Sequence, residues 1–392
     1  MFLPFSQEQI KSFCAEHTVK EILQQPKLWV ETFKIINENK DQIKLFFESL
    51  TNKHGRVRFV FTGAGTSAFV GETITPFLRK NNKNLSWDLE SIATTDLVSS
   101  PKYFLNKEIP TVLVSFARSG NSPESVAAVE VAEKIVQDFY QITITCNEHG
   151  QLAKKAQGDE NTLLLLMPPA SHDEGFAMTS SFSCMMLAAL IAFQYESLNE
   201  LELLVDGLAS GTENFLSSLS AHLETITEFD FERIIYLGSG LLGGIARESA
   251  LKVLELTSGK TVAMYETPLG FRHGPKSIMN DKSLIVFFMS HDEYTRKYEL
   301  DLLKELNQAN LESKIAVLDF KDEDTVKEYS DWQICIPSSG IEWEEVYLGF
   351  VYVTFAQTLA VKKSIHLGIS VDNPSVDGLV NRVVQGVTIY PL

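Results

Sequence analysis

Cysteine is scarce in this 392-residue chain: Cys14, Cys146, Cys184 and Cys335 are widely spaced and form no CxxC pair. That argues against a disulfide framework and predicts buried, reduced thiols in a reducing compartment. Positive charge is also short, with 34 Lys and Arg against 51 Asp and Glu, a formal net charge of −17. Nucleic acid and anionic membrane surfaces require basic patches, so neither is expected as a partner. A small anion is not excluded, because backbone N–H groups and helix N-termini can hold one inside an acidic protein. The global charge would, however, oppose its long-range steering. No long apolar run is present; the longest, Cys184 to Phe193, is too short to span a bilayer. The start, MFLPFSQEQIKSF, lacks a basic segment followed by an apolar core, so no signal peptide is expected and the cytoplasm is the expected location. The eight histidines include no HxH or HxxxH pair, and no metal site is expected.

What remains is the composition of a globular protein, 44% hydrophobic and 22% charged. Its length exceeds what one core usually organises, which predicts two domains. Residues 1–50 read as a helical extension, with Ile10, Phe13, Val19, Ile22 and Leu23 at roughly helical spacing. RVRFVFTGAGTSAFVGE then reads as strand, glycine turn and helix start. TVLVSFARSGNSPESVAAVEVAEKI repeats that plan, and YQITITCNE and NTLLLLMPP add two strands. The layout returns after Glu228. RIIYLGSGLLGGIARESALKVLEL places Gly238 175 positions after Gly63, and SLIVFFMSHDEYTRKYELDLLKEL, SKIAVLDF and DWQICIP follow in order. This predicts an α/β fold made of a tandem duplication, each copy a mostly parallel sheet covered by helices on both faces in three α/β/α layers. The expected boundaries are 51–205 and 206–370, joined by helix around residues 197–227. A turn-rich tail over 371–392 is expected to lie across the body.

In such sheets ligands bind beyond the carboxyl ends of the strands, where loops feed helix N-termini. Three loops of the first copy carry hydroxyls there: GAGTS with Gly65 and Ser67, RSGNSPES with Arg118, Ser119, Asn121 and Ser122, and MTSSFS with Ser180. Gly120 would let the backbone approach an anion, while Ser119, Asn121 and Ser122 donate to its oxygens. Each loop alone reads equally well as a turn or helix cap. Three at equivalent sheet positions point to phosphate binding. The second copy has MSHDEYT where the first has RSGNS, so the phosphate is expected in the first. GSGLLG, with Glu266 ending the next strand, satisfies a dinucleotide pattern. Its counterpart GAGTSAF does not, and a dinucleotide would leave the RSGNS loop unexplained, so no dinucleotide cofactor is expected.

For proton chemistry the candidates are Glu248, Lys252 and Glu255, whose spacings of four and three share one helical face. Such a trio is commonly a solvated ion-pair face; here its helix follows a strand-end loop. His273, in the irregular MYETPLGFRHGPKS, is an exposed loop histidine or an acid–base group able to open a sugar ring near neutral pH. Aldose–ketose isomerisation needs that step, then one carboxylate carrying a proton from C2 to C1, with no metal or redox cofactor.

Together these residues resemble the tandem sugar isomerase (SIS) domain family over about residues 50–392. In the isomerase half of glucosamine-6-phosphate synthase the pattern is a CGTS-like loop, an SQSGET-like loop, an EGALKLKE-like helix and an HGP turn. Here the counterparts are GAGTS, ARSGNS, ESALKVLE and FRHGP. The resemblance implies that Glu255 is the isomerisation base, His273 the ring-opening residue, and Glu248 and Lys252 their support. It places Ser67, Ser119, Ser122 and Ser180 at phosphate-loop positions and implies a homodimer with shared active sites, the histidine turn reaching into a neighbour. Departures are visible. Position 2 is not cysteine, so an amidotransferase domain is not expected; Gln385 stands where the synthase has a catalytic tail lysine; Ala117 replaces the first serine of its phosphate loop. RSGNSPESVAAVE, FRHGPKS and DNP followed by VNRVVQGVTIYP resemble a narrower AgaS-type group, described as tagatose-6-phosphate ketose/aldose isomerases or galactosamine-6-phosphate deaminases. That likeness implies conversion of D-galactosamine 6-phosphate to D-tagatose 6-phosphate and ammonia, with Asn381 and Arg382 closing over the sugar. An isomerase without deamination and a non-catalytic sugar-phosphate regulator are the alternatives.

Overall fold

The computed structural model describes residues 4–336, 343–376, 378–382 and 386–392; Gln385 lies outside them. The chain forms two compact units. One comprises Lys27–Asp173, Met178–Asp206 and Gly378–Leu392. Its five strands, β1 (Val57–Thr62), β2 (Trp87–Ser91), β3 (Thr111–Ala117), β4 (Phe139–Thr145) and β5 (Thr162–Leu166), pair in parallel in the order β2-β1-β3-β4-β5. β3 is buried along its whole length, as a central strand covered on both faces must be, and its residues are accordingly a near-continuous apolar run. β2 escapes sequence inspection: WDLES is a half-exposed edge strand with one buried residue, so it carries no apolar periodicity.

The other unit comprises Met1–Pro26, Glu174–Ala177 and Gly207–Asp377. It holds β6 (Arg233–Gly238), β7 (Val262–Glu266), β8 (Ser283–Phe288), β9 (Lys314–Asp319) and β10 (Trp332–Cys335), all parallel in the order β10-β9-β8-β6-β7. Counted within each copy, both sheets have the order 2-1-3-4-5. The duplication read from the glycine spacing is therefore a duplication of topology. In this winding the strand order reverses between the first and third strands, and the crevice outside their carboxyl ends is the ligand position.

Gly63 and Gly238 end equivalent strands for the same steric reason. A Cβ on either would lie 2.4 Å from backbone atoms of the following helix, at Ser67 and Leu242 respectively. The first strand-end helix, Thr66–Asn81, packs on Ser180–Ala192, in which every residue is buried. Its counterpart Leu242–Leu256 packs on Glu345–His366, where Gly349 leaves room for Ile245. Helices apolar all round belong in a core. Among the described residues no single helix is long and apolar enough to cross a membrane. The stretch joining the sheets is helical, Leu198–Ser218 and Ser220–Glu228, and helices also precede β1. Residues 378–382 and 386–392 contain no helix or strand.

Candidate active site

The crevice beyond β1 and β3 contains a pocket of about 120 Å³, lined by Ser67, Arg118, Ser119, Gly120, Ser122, Glu124, Ser125, Met178 and Arg382 among others. Pockets that enclose a whole small molecule start near ~300 Å³. This one fits the end of a ligand. Its walls follow from local sequence. β3 ends at Ala117, Gly120 turns the chain at a φ of 64°, and Ser122 caps the helix Pro123–Ile135 with its hydroxyl accepting from the Ser125 N–H at 3.3 Å. Pro at the first helical position suits the start. On the other side Gly65, at a φ of 55°, opens Thr66–Asn81 and brings Ser67 into the wall, where its hydroxyl faces the Met178 sulfur at 3.9 Å. A buried guanidinium, clustered hydroxyls and a helix N-terminus together can hold a small anion.

The structure brings Ser67, Arg118, Ser119, Ser122 and Arg382 to this pocket and leaves other candidates outside its lining. Asn121 is exposed, and its side-chain oxygen accepts from the Gln151 N–H at 3.0 Å. Ser180 is fully buried at the start of its helix, where its N–H donates to Asp173 at 3.1 Å. Asp173 takes that helix terminus for itself. It also accepts from the Thr179 and Ser181 N–H groups at 2.8 and 2.9 Å, and from both hydroxyls. Asp173, unread in the sequence, thereby supplies the negative charge that the helix end favours. Asn381 is exposed. Arg382 is tied in twice: its carbonyl accepts from the Arg118 guanidinium at 2.8 Å, and its own guanidinium donates to the Asp173 carbonyl.

The equivalent crevice beyond β6 and β8 is occupied by carboxylates. Ser239 Oγ donates to Glu299 Oε1 at 2.6 Å, the Ser290 N–H donates to Glu299 Oε2 at 2.9 Å, and Ser290 Oγ donates to Glu345. This agrees with the absence of a phosphate-type loop in the second copy. Burial pushes the Glu299 carboxyl up from 4.5 to about 7, the hydrogen bonds from Ser239 and Ser290 opposing and nearby Glu345 adding. A raised acid pKa means that the folded state holds the proton more tightly. The associated stability, roughly 3 kcal/mol, is full below the ordinary carboxylate range and lost as pH rises through about 7. Glu299→Gln, which mimics the neutral form, should therefore flatten the fall in urea stability between pH 5 and 8. An unchanged slope would refute this.

On the helix Leu242–Leu256, Glu248 and Lys252 have side chains with no exposure, while Glu255 keeps 24%. Lys252 Nζ lies 3.3 Å from Glu248 Oε1 and 2.5 Å from Glu255 Oε2. The trio is a buried ion network, not a solvated face. Burial alone would push the Lys252 ammonium down, but the two carboxylates outweigh it and hold it above its ordinary value. Lys252 thus stays charged beside Glu255, the one member of the trio that solvent reaches.

His273 is exposed on the turn between the short helix Pro268–Phe271 and the 3₁₀ turn Pro275–Ile278. The turn is pinned from both sides. Arg272 pairs with Glu305 at 2.8 Å and Asp301 at 2.9 Å, and Lys276 also donates to Glu305. Glu266 folds back to accept from the adjacent Thr267 N–H at 2.7 Å, the behaviour of a turn residue.

A duplicated, doubly wound α/β protein with a hydroxyl- and guanidinium-lined pocket at one switch point and a buried carboxylate–lysine–carboxylate network is the class these features define. The chain belongs to the SIS domain family, whose model matches residues 51–194 and 229–367. It is 44% identical over 376 residues to an Escherichia coli D-galactosamine-6-phosphate deaminase AgaS, covering 95% of each chain. A protein of the same name from Shewanella sp. is 40% identical over 389 residues, covering 99% of this chain and 95% of that one. Among solved structures, the tagatose-6-phosphate ketose/aldose isomerase from Escherichia coli superposes with a TM-score of 0.86 at 41% identity, covering 95% and 96%.

Proposed function

We propose that the protein is a cytoplasmic, homodimeric deaminase that converts D-galactosamine 6-phosphate and water to D-tagatose 6-phosphate and ammonia. The observation that carries this reading is the buried Glu248–Lys252–Glu255 network with Glu255 partly open to solvent. A sugar-phosphate sensor has no chemical need for it. In this proposal the 6-phosphate docks on Ser67, Arg118, Ser119 and Ser122, with Gly65 and Gly120 shaping the loops and Asn121 and Ser180 holding them. His273, contributed across the dimer, assists ring opening. Glu255 takes the C2 proton and returns it to C1, leaving an imine at C2 that water hydrolyses. Lys252 stays beside Glu255 through both transfers and holds its side chain in place, and Asn381 and Arg382 cover the sugar. Support for the docking end comes from the pocket, and for the tail from the Arg118–Arg382 hydrogen bond. Exposed Val262, Tyr265 and Leu269, just ahead of the His273 turn, fit a surface covered by a second copy. All four thiols are free, which suits a reducing compartment, but only Cys146, which burial pushes up to about 12, and Cys184 are buried as expected; Cys14 and Cys335 are exposed.

Incubation with D-galactosamine 6-phosphate should release ammonia and tagatose 6-phosphate in equal amounts. Interconversion of tagatose 6-phosphate and its aldose without ammonia release would instead establish the plain isomerase. Binding without exchange of the C2 proton into deuterated solvent would establish a sensor.

A further inference from the structure

The anion pocket beyond β1 and β3 contains one group that a dianion should not meet. Glu124 is the second residue of the helix Pro123–Ile135 and lines the pocket with Arg118, Ser119, Ser122 and Arg382. Its Oε2 is buried and has no hydrogen-bond partner among the described residues. An acidic side chain in a first helical turn is common, because the helix dipole favours it. A buried carboxylate oxygen without a donor is not, since it forfeits its hydration and gains nothing in return. Among the described residues, the other charged groups in the lining are the guanidiniums of Arg118 and Arg382.

If a phosphate enters, two of its features act in opposite directions on Glu124. Its charge repels the carboxylate at short range. Its second ionisation, with a pKa near 6, means that an additional proton is available to it close to neutral pH. A proton placed between Glu124 and a phosphate oxygen removes the repulsion and gives the orphaned oxygen its partner, in a short charge-assisted hydrogen bond. We propose that Glu124 is a specificity residue that shares one proton with the bound phosphate, so that the pocket takes up a phosphate monoester together with one proton and rejects a sulfate monoester. The inference rests on the assignment of this pocket to the substrate's phosphate. A sulfate ester has the same size and tetrahedral shape but no proton to share, so against Glu124 it leaves two unprotonated oxygens face to face. The only bond change in the step is the proton's: an O–H bond of water or buffer breaks and one between the carboxylate and phosphate oxygens forms. The proton comes from solvent and returns to it on release.

The test uses the full chain and two unreactive probes, galactitol 6-phosphate and galactitol 6-sulfate, which have no carbonyl. Titration calorimetry in buffers of different ionisation enthalpy gives affinity and proton uptake together. The wild type should bind the phosphate at least about 100-fold tighter than the sulfate, take up about one proton at pH 8, and lose about tenfold in affinity between pH 7 and 8. Glu124→Gln, whose amide can donate to an unprotonated oxygen, should bring the two affinities within about tenfold and abolish the proton uptake at pH 8. Glu124→Asp, which keeps a carboxylate, should retain the uptake. If Glu124 merely repelled anions, its removal would strengthen the dianion more than the singly charged sulfate and widen the ratio, overturning the proposal. An unchanged ratio and uptake in Glu124→Gln would overturn it as well. A wild type that binds neither probe would overturn the pocket assignment beneath it, and deaminase activity measured alongside separates that failure from this one.

Discussion

Replacing Glu255 with glutamine is expected to lower kcat for ammonia release by about three orders of magnitude, within the 10²–10⁴ range that a positioned acid–base group supplies. Substrate binding should change by less than a few fold. Glutamine has nearly the same shape, so the helix and its packing have no reason to move. What it lacks is a lone pair basic enough to take the C2 proton and an acid form to return it to C1. That interaction exists in the transition state and not in the ground state, so the loss should fall on kcat and kcat/KM together while a bound inert analogue is held as before. The check is kinetic and isotopic. The variant should bind galactitol 6-phosphate like the wild type, and should not exchange the C2 proton of D-galactosamine 6-phosphate with deuterated solvent at the wild-type rate. A variant turning over within tenfold of wild type would remove Glu255 from the base position.

The second large effect concerns stability. Lys252→Met should destabilise the fold by about 3–5 kcal/mol, the range for breaking a buried ion pair by removing one member. Lys252 is enclosed, and its ammonium is 3.3 Å from the equally enclosed Glu248. Methionine fills most of the volume but leaves the Glu248 carboxylate buried without its counter-charge. That carboxylate must then ionise at a cost or take a proton. The double variant Glu248→Gln, Lys252→Met removes both charges of that pair and should recover a large part of the loss. Urea unfolding of both variants at pH 7 decides it. Equal destabilisation in the single and double variants would mean that packing, not charge, sets the effect.

Much of this protein is legible along the chain because its signals are local. The apolar runs of β3, β4, β6 and β8 announce central parallel strands, and the glycines at 63 and 238 announce a repeated tight turn. RSGNSP marks a turn and a helix cap together, and the spacing of Glu248, Lys252 and Glu255 assigns them to one helical face. Edge strand β2 is illegible for the complementary reason: half exposed, it needs no periodic apolar residues. Asp173 and Glu124 lie in plain view in HDEGFAMTS and SPES. Acidic residues in such stretches usually face water, so nothing local separates these two from the rest.

The sequence by itself determined the α/β class, the duplication and the chemical kind of each loop, since hydrogen-bonding turns and strand burial leave their mark within a few residues. Only the tertiary structure decided which polar groups are enclosed. It sealed Glu248 and Lys252 inside a helix face that spacing alone would allow to be wet. It filled the second crevice with Glu299 and Glu345, drawn from distant parts of the chain, and left the first open around Arg118. Burial of a charge is a property of everything packed around it, and those neighbours are contributed by segments that no local pattern connects.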